Sequence, residues 1–519
     1  MPAPTRKSPE AFSPRPWEIP AASLLCLALA AAITWPLLAR PGSGAHDETD
    51  TLFNTWLMAW NFHAAASLSN PLAPPIFLGQ PDASGRNDLL FVQSLAAVPL
   101  RIAGASPLAA HNIVFVLSLA FAGLALYLLG REVGLDPAGS LFAAGAFVCS
   151  PFFQSHLWHI QLQSAGLSVL GIRQAVRAAR GDAAWPLSVL VFLQFAASLY
   201  YGLFLDAALL LALPWVIQRR GGDAMRYAGW VLAGNLFVIP LLLGTISNAH
   251  RWPADTMTST DVSAFVSPWN SSRLTGPLRP PSTLGEAALW PGLASVAGAV
   301  AHLARKNRSR SLEMGWFLAL ICVFFAVFSL GPTLVVFGRQ VSAAPFRLLA
   351  GLPGFSSVRL PARAGFLFLL PVFLSAGFAM RRRPLLAAAG IALSFAEVWP
   401  GQMRLEAVQP PPFHDWLARR HFHAIAILPL GTSLDRPESE CSNLYGSTLH
   451  FTPMVNGYST SLPQGYERTA ATLNTWPSPA ADSLLDSLGV QCLICKGWVA
   501  EGADTVWEGP RPVSAVVLP

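Results

Sequence analysis

A chain of 519 residues in which 53% of side chains are hydrophobic and only 12% charged falls far below the roughly 25% charged content of soluble proteins, which excludes a soluble enzyme of ordinary make-up. A mean hydropathy of +0.45 excludes disorder for all but short segments, because disordered chains combine low hydrophobicity with high net charge. The net charge of +6 sits in short basic clusters between apolar runs rather than along one face, so it points to membrane topology and not to nucleic acid.

Residues 1–19 are polar and proline-rich, with Arg6, Lys7 and Arg15, and the apolar run 21–38 behind them has no small-residue cleavage site after it, so it reads as an uncleaved first span. The loop 41–107 opens on His46-Asp47-Glu48-Thr49-Asp50. A helix starting near Asp50 puts positions 52, 53, 56, 57 and 60 on one face, which predicts an amphipathic helix in the membrane interface with Trp56 and Trp60 as belt residues. Its leading carboxylates have two readings. One is an N-cap that satisfies the first amides of the helix; the other is a general base held at the membrane surface. Residues 89–104, interrupted by Pro99 and Arg101, read as an interfacial or re-entrant helix.

Apolar runs then recur at 108–130, 138–154, 162–179, 184–201, 202–217, 227–246, 286–304, 314–331, 364–380 and 384–400, giving about eleven spans with the first. The basic sets Arg6/Lys7/Arg15, Arg131, Arg173/Arg177/Arg180, Arg219/Arg220/Arg226, Arg305/Lys306/Arg308/Arg310 and Arg381/Arg382/Arg383 fall on alternate loops. The positive-inside bias therefore places the N-terminus inside. The longer loops 41–107, 247–285 and 332–363, the turn 155–161 and the tail from 401 lie outside. His156 and His159 share that turn with Gln161; H-x-x-H spacing can suit a metal, but no further ligand is nearby in sequence, and the pair reads better as two polar interfacial histidines. Arg359 and Arg363, four residues apart at the outer mouth of a span, make a fork for phosphate or snorkel to the interface.

The tail 401–519 predicts a small α/β domain: a helix at 413–420, strands at 424–428 and 490–494, and a helix at 481–488. Cys492 and Cys495 are three apart within a strand and so point to opposite faces, which argues against a redox or zinc pair. The fold class is therefore an all-α polytopic membrane domain (1–400) followed by a small extracytoplasmic α/β domain (401–519). A Rossmann-type nucleotide fingerprint is not visible, which suits a lipid-borne substrate.

The segment Asp47-Glu48-Thr49-Asp50-Thr51-Leu52-Phe53-Asn54-Thr55-Trp56-Leu57-Met58-Ala59-Trp60 is followed in order by Asp88, Ser150-Pro151-Phe152 with His156, His159 and Gln161, and Ser198-Leu199-Tyr200-Tyr201-Gly202. Further on come Glu286 with Pro291-Gly292, Ser329-Leu330-Gly331-Pro332, Pro353-Gly354-Phe355 with Arg359 and Arg363, and Val455-Asn456-Gly457-Tyr458-Ser459. In these residues the chain resembles the glycosyltransferase C superfamily, and within it a poorly characterised bacterial subfamily with an N-G-Y-S segment in an external tail. It departs from that pattern at Glu48, at Asp88, where Glu-His is usual, and at Leu428, where Glu-Leu-Pro is usual. The resemblance implies a multi-pass protein of the bacterial inner membrane that transfers sugar from a polyprenyl-phosphate donor to an extracytoplasmic glycan, lipid or protein. It implies Asp47, then Asp50, as base, Arg359 and Arg363 as holders of the donor phosphate, and Glu48, Asp88, His156, His159 and Gln161 as substrate contacts. No cofactor is specified, and a divalent cation is left open. Two other classes compete: a lipid-linked glycan transporter, for which the intramembrane Asp206 is the one clue, and a non-catalytic assembly protein of the envelope.

Overall fold

The computed structural model describes residues 14–80, 87–248, 251–267, 274, 286–304, 312–352, 354–399, 403–431, 435–459, 461–497, 504–507 and 513–518. Arg6, Lys7, the set Arg305/Lys306/Arg308/Arg310, Pro353 and much of the loop 247–285 lie outside the described residues. Three helical stretches, Pro107–Glu132, Leu199–Leu243 and Pro361–Met380, are long and apolar enough to cross a membrane by length and composition. Most of the other apolar runs fold as shorter helices, among them Glu18–Ile33, Pro186–Ala197, Leu293–Leu303 and Pro384–Val398. Proline explains part of this shortening. Pro137, Pro151, Pro186 and Pro384 each begin a helix, where the missing amide costs nothing, and Pro151 and Pro186 do so inside the runs 138–154 and 184–201, which they interrupt.

The contacts divide the chain into two units. The first comprises Met1–Leu38, Phe115–Ile239 and Arg251–Met403. Its core is aromatic, with Phe147, Phe152, Phe153, Phe204, Phe366 and Phe373 fully buried and meeting edge to face, as in Phe147 with Phe153 at 4.9 Å. Helices Pro137–Val148 and Gly365–Met380 cross at a pair of glycines. A Cβ on Gly139 would lie 2.5 Å from the carbonyl oxygen of Gly377, so only glycine permits that approach. At one end the arginine-bearing turns meet: Arg131 pairs with Glu18 at 3.0 Å, Arg173 and Arg180 pair with Glu132 at 3.2 and 2.8 Å, and the Arg382 amide donates to Asp136 at 2.7 Å. The longer loops meet one another instead. The Trp252 amide donates to Ser356 O and the Thr258 amide to Arg359 O, both at 2.9 Å.

The second unit comprises Ala39–Val114, Pro240–His250 and Arg404–Pro519. Its tail forms a sheet in which Ile425–Leu428 runs parallel to Cys492–Lys496, which pairs antiparallel with Val513–Val517, itself paired with Asp504–Trp507. Cys492 and Cys495 are both buried, because their strand is central and covered on both faces. The first long loop folds with this tail: Gly44–Ala45 pairs antiparallel with Glu406–Ala407, and helix Asp50–Ala66 packs on helix Pro437–Ser447. That helix does not lie exposed in an interface. Every residue from Thr51 to Asn61 is buried; Trp56 donates from Nε1 to Ser447 Oγ at 3.0 Å, and Trp60 donates to Pro71 O at 3.0 Å. The boundary expected at 401 therefore cuts through a unit that residues 39–114 share.

Candidate functional site

Asp47 acts on the backbone of its own helix. Its Oδ2 accepts from the amides of Thr49 (3.2 Å) and Asp50 (2.9 Å) and from the Thr49 hydroxyl. Its Oδ1 accepts from the amide (2.9 Å) and hydroxyl (2.5 Å) of Thr51. An ionised carboxylate has about four lone-pair sites, so these five donors use its whole acceptor capacity and staple the start of helix Asp50–Ala66. Asp50, half-buried on the first turn, and Glu48, exposed beside it, flank that staple. Asp88 is half-buried in the same unit.

A second cluster forms in the first unit from three separate loops. Pro151 starts a single helical turn, Pro151–Gln154, and the chain then bends through His156 and His159 into the 3-10 turn Ile160–Ser164. Gln163 Nε2 donates to His156 O at 2.9 Å and the Tyr201 hydroxyl to Leu162 O at 3.0 Å, which pins the bend. Pro361 starts the 3-10 turn Pro361–Ala364 that carries Arg363 into helix Gly365–Met380. The third loop is 286–292. A span was expected to begin at 286, but the helix begins at Leu293, since Gly292 adopts φ +89°. Glu397, buried, fastens the loop by accepting from Trp290 Nε1 at 2.7 Å and from the Leu293 amide at 2.9 Å. Glu286 is thereby held off the helix and turned to Arg363.

Arg363 is buried. Its Nε and Nη2 donate to Glu286 Oε2 at 3.2 and 2.9 Å, Nη2 lies 3.3 Å from His159 Nε2, and the guanidinium lies 5.3 Å from the ring centre of Tyr200. His156 Nδ1 is 3.8 Å from Glu286 Oε2. Burial holds the His156 imidazole well below the ordinary histidine range, against the pull of Glu286, so it is uncharged at neutral pH. Burial works to raise the Glu286 carboxyl, but the Arg363 guanidinium outweighs it and the group is pulled down to about 2. One donor atom each from His156, His159 and Glu286 lie within 4.8 Å of one another.

Of the residues singled out in the sequence, the structure thus brings His156, His159 and Arg363 together and joins Glu286 to them. Gln161 is half-buried on the adjoining 3-10 turn. Arg359 stands over the Trp252 ring at 5.5 Å, with its backbone tied to Thr258. Asp47, Glu48, Asp50 and Asp88 belong to the other unit. Asp206 accepts from Asn235 Nδ2 at 3.1 Å, a pairing between helices that accounts for a carboxylate within an apolar run. Tyr200 and Glu397 carried no functional reading in the sequence; the break Trp290-Pro291-Gly292 was the available sign that Glu286 lies in a loop rather than a span.

A family model described as a domain of unknown function, DUF6311, matches residues 91–398. Among solved structures, arabinofuranosyltransferase AftD from Mycobacteria is similar at 16% identity and a TM-score of 0.60, over 94% of this chain and 35% of that one. A mutant of the same protein matches at 15% identity and 0.58, over 98% and 42%. The archaeal oligosaccharyltransferase AglB from Archaeoglobus fulgidus follows at 11% identity and 0.48, over 92% and 69%. The chain spans well under half the length of AftD. No curated protein matches. The fold is that of the glycosyltransferase C membrane proteins.

Proposed function

The chain belongs to the DUF6311 family, and from that premise and the fold we propose that it is a membrane-embedded glycosyltransferase that moves a sugar from a polyprenyl-phosphate donor to an extracytoplasmic glycan, lipid or protein in the bacterial inner membrane. The observation that carries this reading is Arg363, a fixed cation buried at the head of an apolar helix and oriented by Glu286, His159 and Tyr200. Inverting transfer from such a donor asks for a base at the acceptor hydroxyl, stabilisation of a cation-like anomeric carbon, and a preorganised counter-charge for the departing phosphate. Arg363 is the counter-charge, since a planar guanidinium suits phosphate oxygens, and Arg359 is the second cation proposed for the same headgroup. Asp50 and Asp47 are the carboxylates proposed as the base, with Asp47 also accepting from the first amides of its own helix. His156, His159, Gln161, Glu48 and Asp88 are proposed as contacts to sugar or acceptor. AftD is an arabinofuranosyltransferase, which supports sugar transfer as the reaction class.

The test is purification of the full chain with its Asp50→Asn and Arg363→Lys variants, and incubation with a panel of polyprenyl-phosphate sugars, following sugar release and lipid binding. Turnover by the wild type, binding without turnover by Asp50→Asn, and weakened binding by Arg363→Lys support the reading. Failure of every lipid-linked sugar to bind overturns it in favour of an assembly protein.

A further inference from the structure

We propose that His156, His159 and Glu286 form a binding site for one divalent cation of the zinc class, and that Arg363 and this cation exchange places on Glu286. The donors come from a turn and a loop more than a hundred residues apart in sequence, and their ligand atoms converge to within 4.8 Å. Bonds of 2.0–2.1 Å in a tetrahedral zinc site put neighbouring ligand atoms about 3.4 Å apart. The 3.8 Å between His156 Nδ1 and Glu286 Oε2 is already near that value, and the widest pair closes with a small side-chain movement. Two imidazoles and one carboxylate make an N/N/O set that prefers zinc and its neighbours to magnesium or calcium, which take oxygen. Three protein ligands also leave a fourth position open to solvent or substrate.

A second observation points to a ligand at the same place. His156 is fully buried, and both of its ring nitrogens are buried without a hydrogen bond among the described residues. Buried polar nitrogens in native proteins are nearly always satisfied, and a cation on Nδ1 satisfies the one that faces Glu286. Arg363 Nη2, at 2.9 Å from Glu286 Oε2 and 3.3 Å from His159 Nε2, bridges the same two ligands that the ion would bridge. A guanidinium and a dication repel at that separation, so binding of the ion turns Arg363 away from Glu286.

The test is titration of Zn²⁺ alone, and of Mg²⁺ alone, into the chelator-treated full chain in detergent, followed by calorimetry, with X-ray absorption of the zinc-loaded protein. Expected are one zinc per chain in a nitrogen- and oxygen-only shell with imidazole scattering, magnesium bound much more weakly, and loss of the zinc site in His156→Ala and in Glu286→Gln. Arg363→Gln is expected to bind zinc roughly tenfold tighter or more, since a competing positive charge is removed. Zinc binding that survives His156→Ala unchanged, or that weakens in Arg363→Gln, overturns the proposal. Arg363→Gln and the absorption spectrum keep the test decisive should His156→Ala fail to fold. No sugar enters these measurements, so their failure and failure of the transferase reading are separate results.

Discussion

Replacing Glu286 by alanine should destabilise the protein by roughly 2–3 kcal/mol at neutral pH, by an amount that depends on pH in one direction only. The carboxyl falls from an ordinary 4.5 to about 2 beside Arg363, and at about 1.4 kcal/mol for each pH unit that difference is worth roughly 3 kcal/mol. Breaking a buried ion pair by removing one partner costs about 3–5 kcal/mol, because the other charge is stranded. Here the Arg363 side chain is 10% exposed and that of Glu286 28%, so water reaches the pair and the lower figure applies. The sign follows from linkage. A carboxyl whose folded value is depressed contributes its full stability above its unfolded value and loses it as pH falls through the folded one. The gap between wild type and Glu286→Ala should therefore be flat from pH 8 to pH 5 and close between about 4.5 and 2. Detergent-solubilised protein unfolded by a graded denaturant at several pH values reads this directly. The double variant Glu286→Ala/Arg363→Met should recover part of the loss, since no orphan charge is left. A gap absent at pH 7, or one that narrows toward high pH, would refute the ion-pair argument.

Three further outcomes are expected. Glu440 is fully buried and accepts from the Gly431 amide at 2.8 Å and from Asn456 Nδ2 at 3.1 Å, yet burial raises its carboxyl to about 7. Its stabilising contribution is complete below the unfolded value and is lost as pH rises through 7, so wild type should weaken by up to roughly 3 kcal/mol between pH 5 and 8 relative to Glu440→Gln, as followed by denaturant titration of the full chain. Gly446→Ala puts a Cβ 2.1 Å from His414 Cδ2 and 2.5 Å from its Nε2. With His414 buried and stacked on His450, overpacking should cost about 1–3 kcal/mol in the same assay. Asp47→Asn turns an amide NH₂ toward backbone donors and should cost about 1–2 kcal/mol. Asp50→Asn should remove transfer while the chain still folds and binds the lipid-linked sugar, and loss of transfer confined to Asp47→Asn would assign the base to Asp47.

The elements of the tail were legible because their signals are local. Strand 424–428 and the helix at 413–420 are expected and are found as Ile425–Leu428 and Phe413–Ala418, the strand marked by a short apolar run ended by Pro429 and the helix by Phe413, Trp416 and Leu417 at helical spacing. The burial of helix Asp50–Ala66 was misjudged because one apolar face was picked out where Leu52, Phe53, Trp56, Leu57, Met58, Ala59 and Trp60 leave little of the first turns polar. Such a helix is covered on all sides, and its cover is helix Pro437–Ser447, nearly four hundred residues away. The His156–His159 pair was visible by its spacing. Its partners were not, because Glu286 and Arg363 reach it only through tertiary folding. The shortening within the runs 138–154 and 184–201 is partly readable from Pro151 and Pro186, which start helices inside them while hydropathy continues across both prolines.

The charge in the cluster has a consequence for substrate binding. Arg363 and Glu286, in contact at 2.9 Å, sum to zero, and His156 is uncharged, so the pair as it stands offers an anionic headgroup orientation but little net attraction. A cation seated on His156, His159 and Glu286 changes this in two ways: it adds two positive charges within a few ångströms, and it occupies the carboxylate that otherwise neutralises Arg363. At about 4 Å and an effective dielectric near 20, each added charge is worth up to about 4 kcal/mol before desolvation is subtracted, more than enough to decide whether a lipid phosphate is held. Binding of a polyprenyl phosphate should therefore tighten when zinc is present and fall back on chelation. In Glu286→Gln, where Arg363 has lost its neutralising partner and the cation has lost a ligand, binding should be tight and indifferent to zinc. If chelation leaves lipid binding unchanged in the wild type, cation and phosphate are not coupled through Glu286, and Arg363 serves the headgroup while still paired.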